Sequence, residues 1–154
     1  MRIRLFLVAL LVMVVGLGGI AYASSDTLVI GCGAEAVGLD PRLETDVPSF
    51  ERINVIMEPL VKFDVEMNLV PALATEWEFS DDSLTLTFYL REGVKWHDGK
   101  PFTAEDVKYT FEWVLDSANA APNRGLYADI ASIEAVNDHV VSFHLGKPYS
   151  FLLN

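Results

Sequence analysis

One segment decides in which solvent the rest of this chain folds. Met1 to Ala23 reads MRIRLFLVALLVMVVGLGGIAYA. Arg2 and Arg4 give a positive start, and an unbroken apolar run from Leu5 to Val15 follows. Ala21-Tyr22-Ala23 is a small-x-small site, followed by polar Ser24-Ser25-Asp26. This layout predicts a secretory signal peptide over residues 1–23, cleaved after Ala23. The competing reading is an uncleaved anchor, since Leu5 to Ala23 is just long enough to span a bilayer. Cleavage removes two of the 11 basic residues and none of the 22 acids. It leaves 131 residues carrying 9 basic against 22 acidic side chains, a net charge of −13. Such a charge suits a soluble exported protein and argues against wrapping nucleic acid phosphates.

The lone cysteine, Cys32, excludes an internal disulfide framework and a Cys-rich zinc site. Val29-Ile30-Gly31-Cys32 resembles the box before a lipid-modified cysteine of bacterial lipoproteins. It lies well past the apolar run, with Ser24, Ser25, Asp26 and Thr27 between. Residues 27–33 read instead as a strand with Cys32 a small buried thiol, and lipid attachment is the alternative.

Downstream, hydrophobic spacing sets the elements. Gly38-Leu39-Asp40-Pro41 predicts a turn. Pro48 to Met57 reads as a helix with Phe50, Ile53, Ile56 and Met57 on one stripe, ended by Pro59. Leu60 to Asp64 reads as a short strand, followed by a turn at residues 66–68. Residues 84–90 alternate: Leu84, Leu86, Phe88 and Leu90 face one way, and Thr85, Thr87 and Tyr89 the other. Asp81-Asp82 opens that strand, Val94 to Trp96 reads as another, and Asp98-Gly99 is a turn pair. Thr103-Ala104-Glu105-Asp106 is a capping box, after which Val107, Phe111, Val114 and Leu115 mark one helix face. A loop over residues 116–126 leads to a hairpin of residues 130–136 and 140–145, turning at Asn137-Asp138. Strands and helices without a regular βαβ beat predict a mixed α/β or α+β fold. The chain ends in apolar Phe151-Leu152-Leu153, from which a continuing natural protein is expected, a docked terminal strand being the alternative.

No catalytic or metal motif is present. His97, His139 and His144 have no helical metal-pair spacing, and His139 and His144 read as surface residues. Gly31-Cys32-Gly33 lacks the glycines and lysine of a phosphate loop, and Gly-x-Ser-x-Gly is missing. Carboxylates are abundant, yet Glu105, Asp106, Asp81 and Asp82 have simpler roles in caps and turns. No acid calls for a catalytic explanation, so a secreted hydrolase is a remote alternative to a binding module. No cofactor, metal or nucleic acid partner is expected.

The run from Leu90 to Val107, LREGVKWHDGKPFTAEDV, resembles the signature of the family 5 extracellular solute-binding proteins of ABC transporters. Leu39-Asp40-Pro41, Glu58-Pro59-Leu60-Val61 and Pro71-Ala72-Leu73-Ala74-Thr75-Glu76-Trp77 agree with it in order; Pro59 stands where that family commonly has glycine. The resemblance covers residues 27–150. It implies a periplasmic-binding-protein fold of type II, two lobes closing on a ligand. Residues 24–154 would then be the N-terminal part of that domain: the start of the first lobe plus an accessory subdomain. It implies a periplasmic binding component that hands peptides to permease subunits without catalysis. Oligosaccharides, nickel complexes or heme are alternative ligands, and a sensory domain is an alternative role. The signature itself reads as scaffold: turns at Gly93 and Asp98-Gly99, core area at Trp96 and Phe102, a cap at Thr103. By similarity, Thr45, Asp46 and Val47 are the ligand-facing segment, with backbone free to pair with an extended peptide. The alternative there is an ordinary helix-entry loop. Asn123 is a further ligand-binding candidate.

Overall fold

The computed structural model describes residues 27–148. The chain divides into two compact units, Met1–Cys32 and Gly33–Asn154. Of the first unit, residues 27–32 are described; they form neither helix nor strand and are exposed. The strand expected over residues 27–33 is therefore absent, and Cys32 is exposed rather than buried. A strand needs a neighbour to take its N–H and C=O groups, and no ladder among the described residues includes this segment. The signal segment and the apolar residues 151–153 lie outside the described residues.

The second unit begins its regular structure with helix α1 (Val47–Ile56) and the short antiparallel pair β1 (Val61–Phe63) and β2 (Leu69–Pro71). Then come β3 (Ala74–Phe79), β4 (Thr85–Leu90), helix α2 (Ala104–Leu115), β5 (Ile130–Asn137) and β6 (Val140–Leu145). The last four strands form one antiparallel sheet in the order β3-β4-β6-β5. This is the mixed helix–strand fold that the sequence predicts.

Register explains the core. Leu86 stands opposite Phe143, and Phe88 opposite Val141. Ile133 faces Phe143 and Ile130 faces Leu145 across the other ladder. All seven are buried on one face. Helix α2 covers that face through Val107, with Phe111 and Leu115 packed against it. Phe111 meets Phe143 edge-to-face at 5.0 Å and Tyr127 at 5.1 Å, and Phe88 meets Phe143 at 5.6 Å. The opposite face is polar: Thr87 Oγ1 lies 3.0 Å from Ser142 Oγ, and Thr85 Oγ1 lies 3.2 Å from His144 Nδ1.

The start of α2 is the expected capping box. Thr103 N–H donates to the Asp106 carboxylate at 2.8 Å, and the Thr103 hydroxyl turns to that carboxylate at 3.3 Å. The acid takes the Thr103 N–H and sits at the positive helix end. Val94 to Trp96 is not a strand; a single bridge joins Lys95 to Pro101 around a turn whose Gly99 has φ 86°. Trp96 stacks edge-to-face on buried Phe102 at 5.7 Å but stays 43% exposed, so it is a cover on the core rather than part of it. On α1 only Ile53 of the expected stripe is buried; Ile56 and Met57 are both 41% exposed. β3 was not expected as a strand. Among the described residues no helix is long and apolar enough to cross a membrane.

Candidate functional site

The segment that precedes α1 is held at three points. The first is a tight turn at Asp40-Pro41, where proline presets the backbone and the short acid bonds back to its own turn. The Asp40 carbonyl accepts the N–H groups of Leu43 (3.0 Å) and Glu44 (3.2 Å), and its carboxylate accepts that of Arg42 (3.0 Å). The second point is the Arg42 guanidinium. It forks onto the Asp40 carboxylate, with Nε at 2.9 and 3.2 Å from the two oxygens and Nη2 at 2.6 Å. It also lies 4.2 Å from the centre of the Trp113 ring on α2. The guanidinium holds the Asp40 carboxyl below the usual carboxylate range.

The third point is the first turn of α1. Asp46 caps it, accepting the Ser49 N–H at 2.9 Å, and that bond depresses the Asp46 carboxyl pKa. Ser49 is fully buried, and its hydroxyl accepts the N–H groups of Val37 (3.0 Å) and Gly38 (3.4 Å). Arg52 reaches the carbonyls of Pro48 (2.6 Å) and Ala34 (2.7 Å). Residues 34–38 are thus strapped to α1, and residues 40–44 are closed on themselves.

Thr45 and Val47 sit between these fixed points. Thr45 is exposed, and Val47 is 70% exposed at the mouth of the helix. The Thr45 N–H and C=O make no hydrogen bond with another described residue. Main-chain groups of this kind can pair with an added extended strand.

Asn123 lies elsewhere, in a 3-10 turn (Pro122–Tyr127), half-buried on the wall of a cavity of about 420 Å³. Phe88, Phe111 and Phe143 line this cavity, and Arg42, Thr110 and Tyr127 add polar groups. Its volume falls in the range of small-ligand pockets. Pro41 and Arg42 reach the lining, while Thr45, Asp46 and Val47 do not. The structure therefore brings Thr45–Val47 together on one stretch and leaves Asn123 on a separate wall. Sequence reasoning passed over Arg42, Trp113 and Ser49. Only the Asp-Pro-Arg spacing hints at the Arg42–Asp40 fork; nothing local announces Trp113 as its partner.

The titrating groups serve structure. Asp64 is held low by the Asn68 N–H, Asp82 by the Ser80 hydroxyl and Asp98 by Lys100. Such acids are ionised acceptors in turns rather than proton donors. The Tyr127 phenol is pushed up by burial. His144 Nε2 is 3.6 Å from a Glu134 oxygen, and His97 is exposed. Among the described residues no three His, Cys, Asp or Glu side chains gather where they could hold a metal ion.

Comparison with known proteins finds relatives of this chain among bacterial extracellular solute-binding proteins. Residues 68–154 match the model of the bacterial extracellular solute-binding proteins, family 5, middle part. The glutathione-binding protein GsiB of Escherichia coli is 34% identical over 148 residues, which are 96% of this chain and 29% of that protein. NikZ from Campylobacter jejuni, solved in complex with Ni(L-His), superposes with a TM-score of 0.71 at 34% identity. The likeness covers 78% of this chain and 24% of NikZ. OppA of Haemophilus influenzae, solved in complex with RPPGFSPFR, gives a TM-score of 0.72 at 30% identity. It covers 78% of this chain and 27% of OppA. The chain thus spans less than a third of the length of each of these relatives.

Proposed function

Because the chain belongs to the bacterial extracellular solute-binding proteins of family 5, we propose that it is part of a peptide-binding component of an ABC importer. The match of residues 68–154 to that family carries this reading. Residues 1–23 direct export and are removed. Residues 24–154 supply the opening part of the binding domain. Ligand is captured on the outer side of the cytoplasmic membrane and passed to permease subunits, with no chemistry on the way.

Peptide is favoured as the ligand by two relatives, one named for binding glutathione and one solved with a nonapeptide. The Thr45 main chain, which bonds no other described residue, supports it too, because backbone pairing grips peptides of many sequences. Thr45, Asp46 and Val47 are the ligand-facing segment in this reading, and Asn123 lines a second wall. A nickel complex is the second reading, favoured by the likeness to NikZ bound to Ni(L-His).

Calorimetry tests this on the protein made from its natural reading frame. Di- to pentapeptides and glutathione should release or absorb heat with a saturable isotherm. Binding of Ni(L-His) alone moves the ligand to metal complexes, and binding of an oligosaccharide or heme alone moves it to those classes. Turnover of any of them would show an enzyme instead.

A further inference from the structure

We propose that Arg42 is the positioning residue of the ligand-facing segment, clasping residues 40–44 to helix α2 so that Thr45 is presented in one place. This rests on the reading of Thr45–Val47 as ligand-facing and adds what holds that segment in shape.

An exposed ion pair alone would carry little weight, because such pairs contribute marginally to stability. Arg42 does more than pair. Its fork takes both oxygens of Asp40, with its closest contact at 2.6 Å. The carbonyl of the same Asp40 collects the Leu43 and Glu44 N–H groups. The guanidinium then lies 4.2 Å from the Trp113 ring centre, in the range of a cation–π contact. Turn, cation and helix therefore form one connected piece. Immediately after it, Thr45 is the single residue between a bonded Glu44 and the capping Asp46. Its N–H and C=O, which bond no other described residue, thus stand between two anchors. A segment ordered before ligand arrives spares the complex the cost of ordering it.

The side chain requirements are specific. Lysine keeps the charge but loses the planar fork and the flat face that lies on the indole. Two readouts on the natural-length protein separate the clasp from the ligand reading: amide hydrogen exchange without ligand, and peptide affinity by calorimetry. In Arg42→Lys, exchange at Leu43 and Glu44 should speed up about tenfold, and peptide affinity should fall about five- to thirtyfold, as loss of preorganisation predicts. Exchange in β4 and β6 should not change, which shows that the fold is intact. Trp113→Leu should do the same, and Trp113→Phe, which keeps a ring, should restore most of both. The double variant Arg42→Lys with Trp113→Leu should be no worse than either single change, since both break one clasp.

Unchanged exchange at Leu43 and Glu44 in Arg42→Lys overturns the clasp. Faster exchange with unchanged affinity overturns the positioning role by detaching the segment from the ligand. If the unaltered protein binds none of the peptides, the proposed function fails while the exchange data still decide the clasp.

Discussion

Ser49 illustrates how much one hydroxyl holds. It is completely buried and accepts two amides from a segment with little other regular bonding. Ser49→Ala leaves those N–H groups without an acceptor, so it should cost about 1–3 kcal/mol in urea unfolding. The same change should free residues 37 and 38 to exchange. Asp40 carries a pH dependence. Its folded pKa lies below the ordinary 3.8, so its contribution is fully present above about pH 4 and is lost as the pH falls through the lowered native value. Leu43 and Glu44 exchange, corrected for intrinsic rate, should therefore stay constant from pH 7 to 5 and rise only below about pH 4. Asp40→Asn should remove that acid limb. At this scale the sequence was legible wherever a side chain serves its own turn: Asp82 bonds the Leu84 N–H and Asp98 the Lys100 N–H, two residues on. It was illegible where the partner is distant, as with Arg42 and Trp113. Cys32 was misread because an apolar run carries no record of whether a neighbouring strand exists. One thiol should react with Ellman's reagent in the native protein without denaturant.

Elements were read best where spacing and burial agree. β4 alternates because one face meets α2 and the other carries polar Thr85 and Thr87. α2 shows its buried face through Val107 and Val114. β3 escaped because it is an edge strand with a register shift between Ala74 and Glu76, which breaks the period of two. α1 misled in the other direction: its stripe is present, yet Ile56 and Met57 stay exposed among the described residues. The elements differ in what they can lose. Phe143 is 2% exposed and touches Phe88 and Phe111. Phe143→Ala should cost about 3–5 kcal/mol, the range of buried aromatic truncations, as a lower urea midpoint. Gly99→Ala, at φ 86° with open space around it, should cost about 1–2 kcal/mol from backbone strain alone.

For the molecule as a whole, the family resemblance of residues 90–107 was the most informative stretch of sequence. Family membership is shown by the match over residues 68–154. This chain spans 29% of GsiB. On the proposed function, in which a peptide is gripped between two lobes, residues 1–154 alone should bind peptides no better than millimolar. A micromolar complex with the short chain would place the whole binding site within it.

The strand order has a consequence in time. β4 is flanked by β3, made just before it, and by β6, whose His144 lies 59 positions beyond Thr85. At ordinary synthesis rates, the ribosome needs about 3–11 seconds to go from the end of β4 to the end of β6. Throughout that interval the β4 edge that later takes β6 stays open, and a two-stranded ribbon is marginal on its own. The central ladder therefore closes last, after loop-closure entropy has been met across the whole of α2. A nascent chain that cannot complete this four-stranded sheet until β6 emerges stays loose for those seconds.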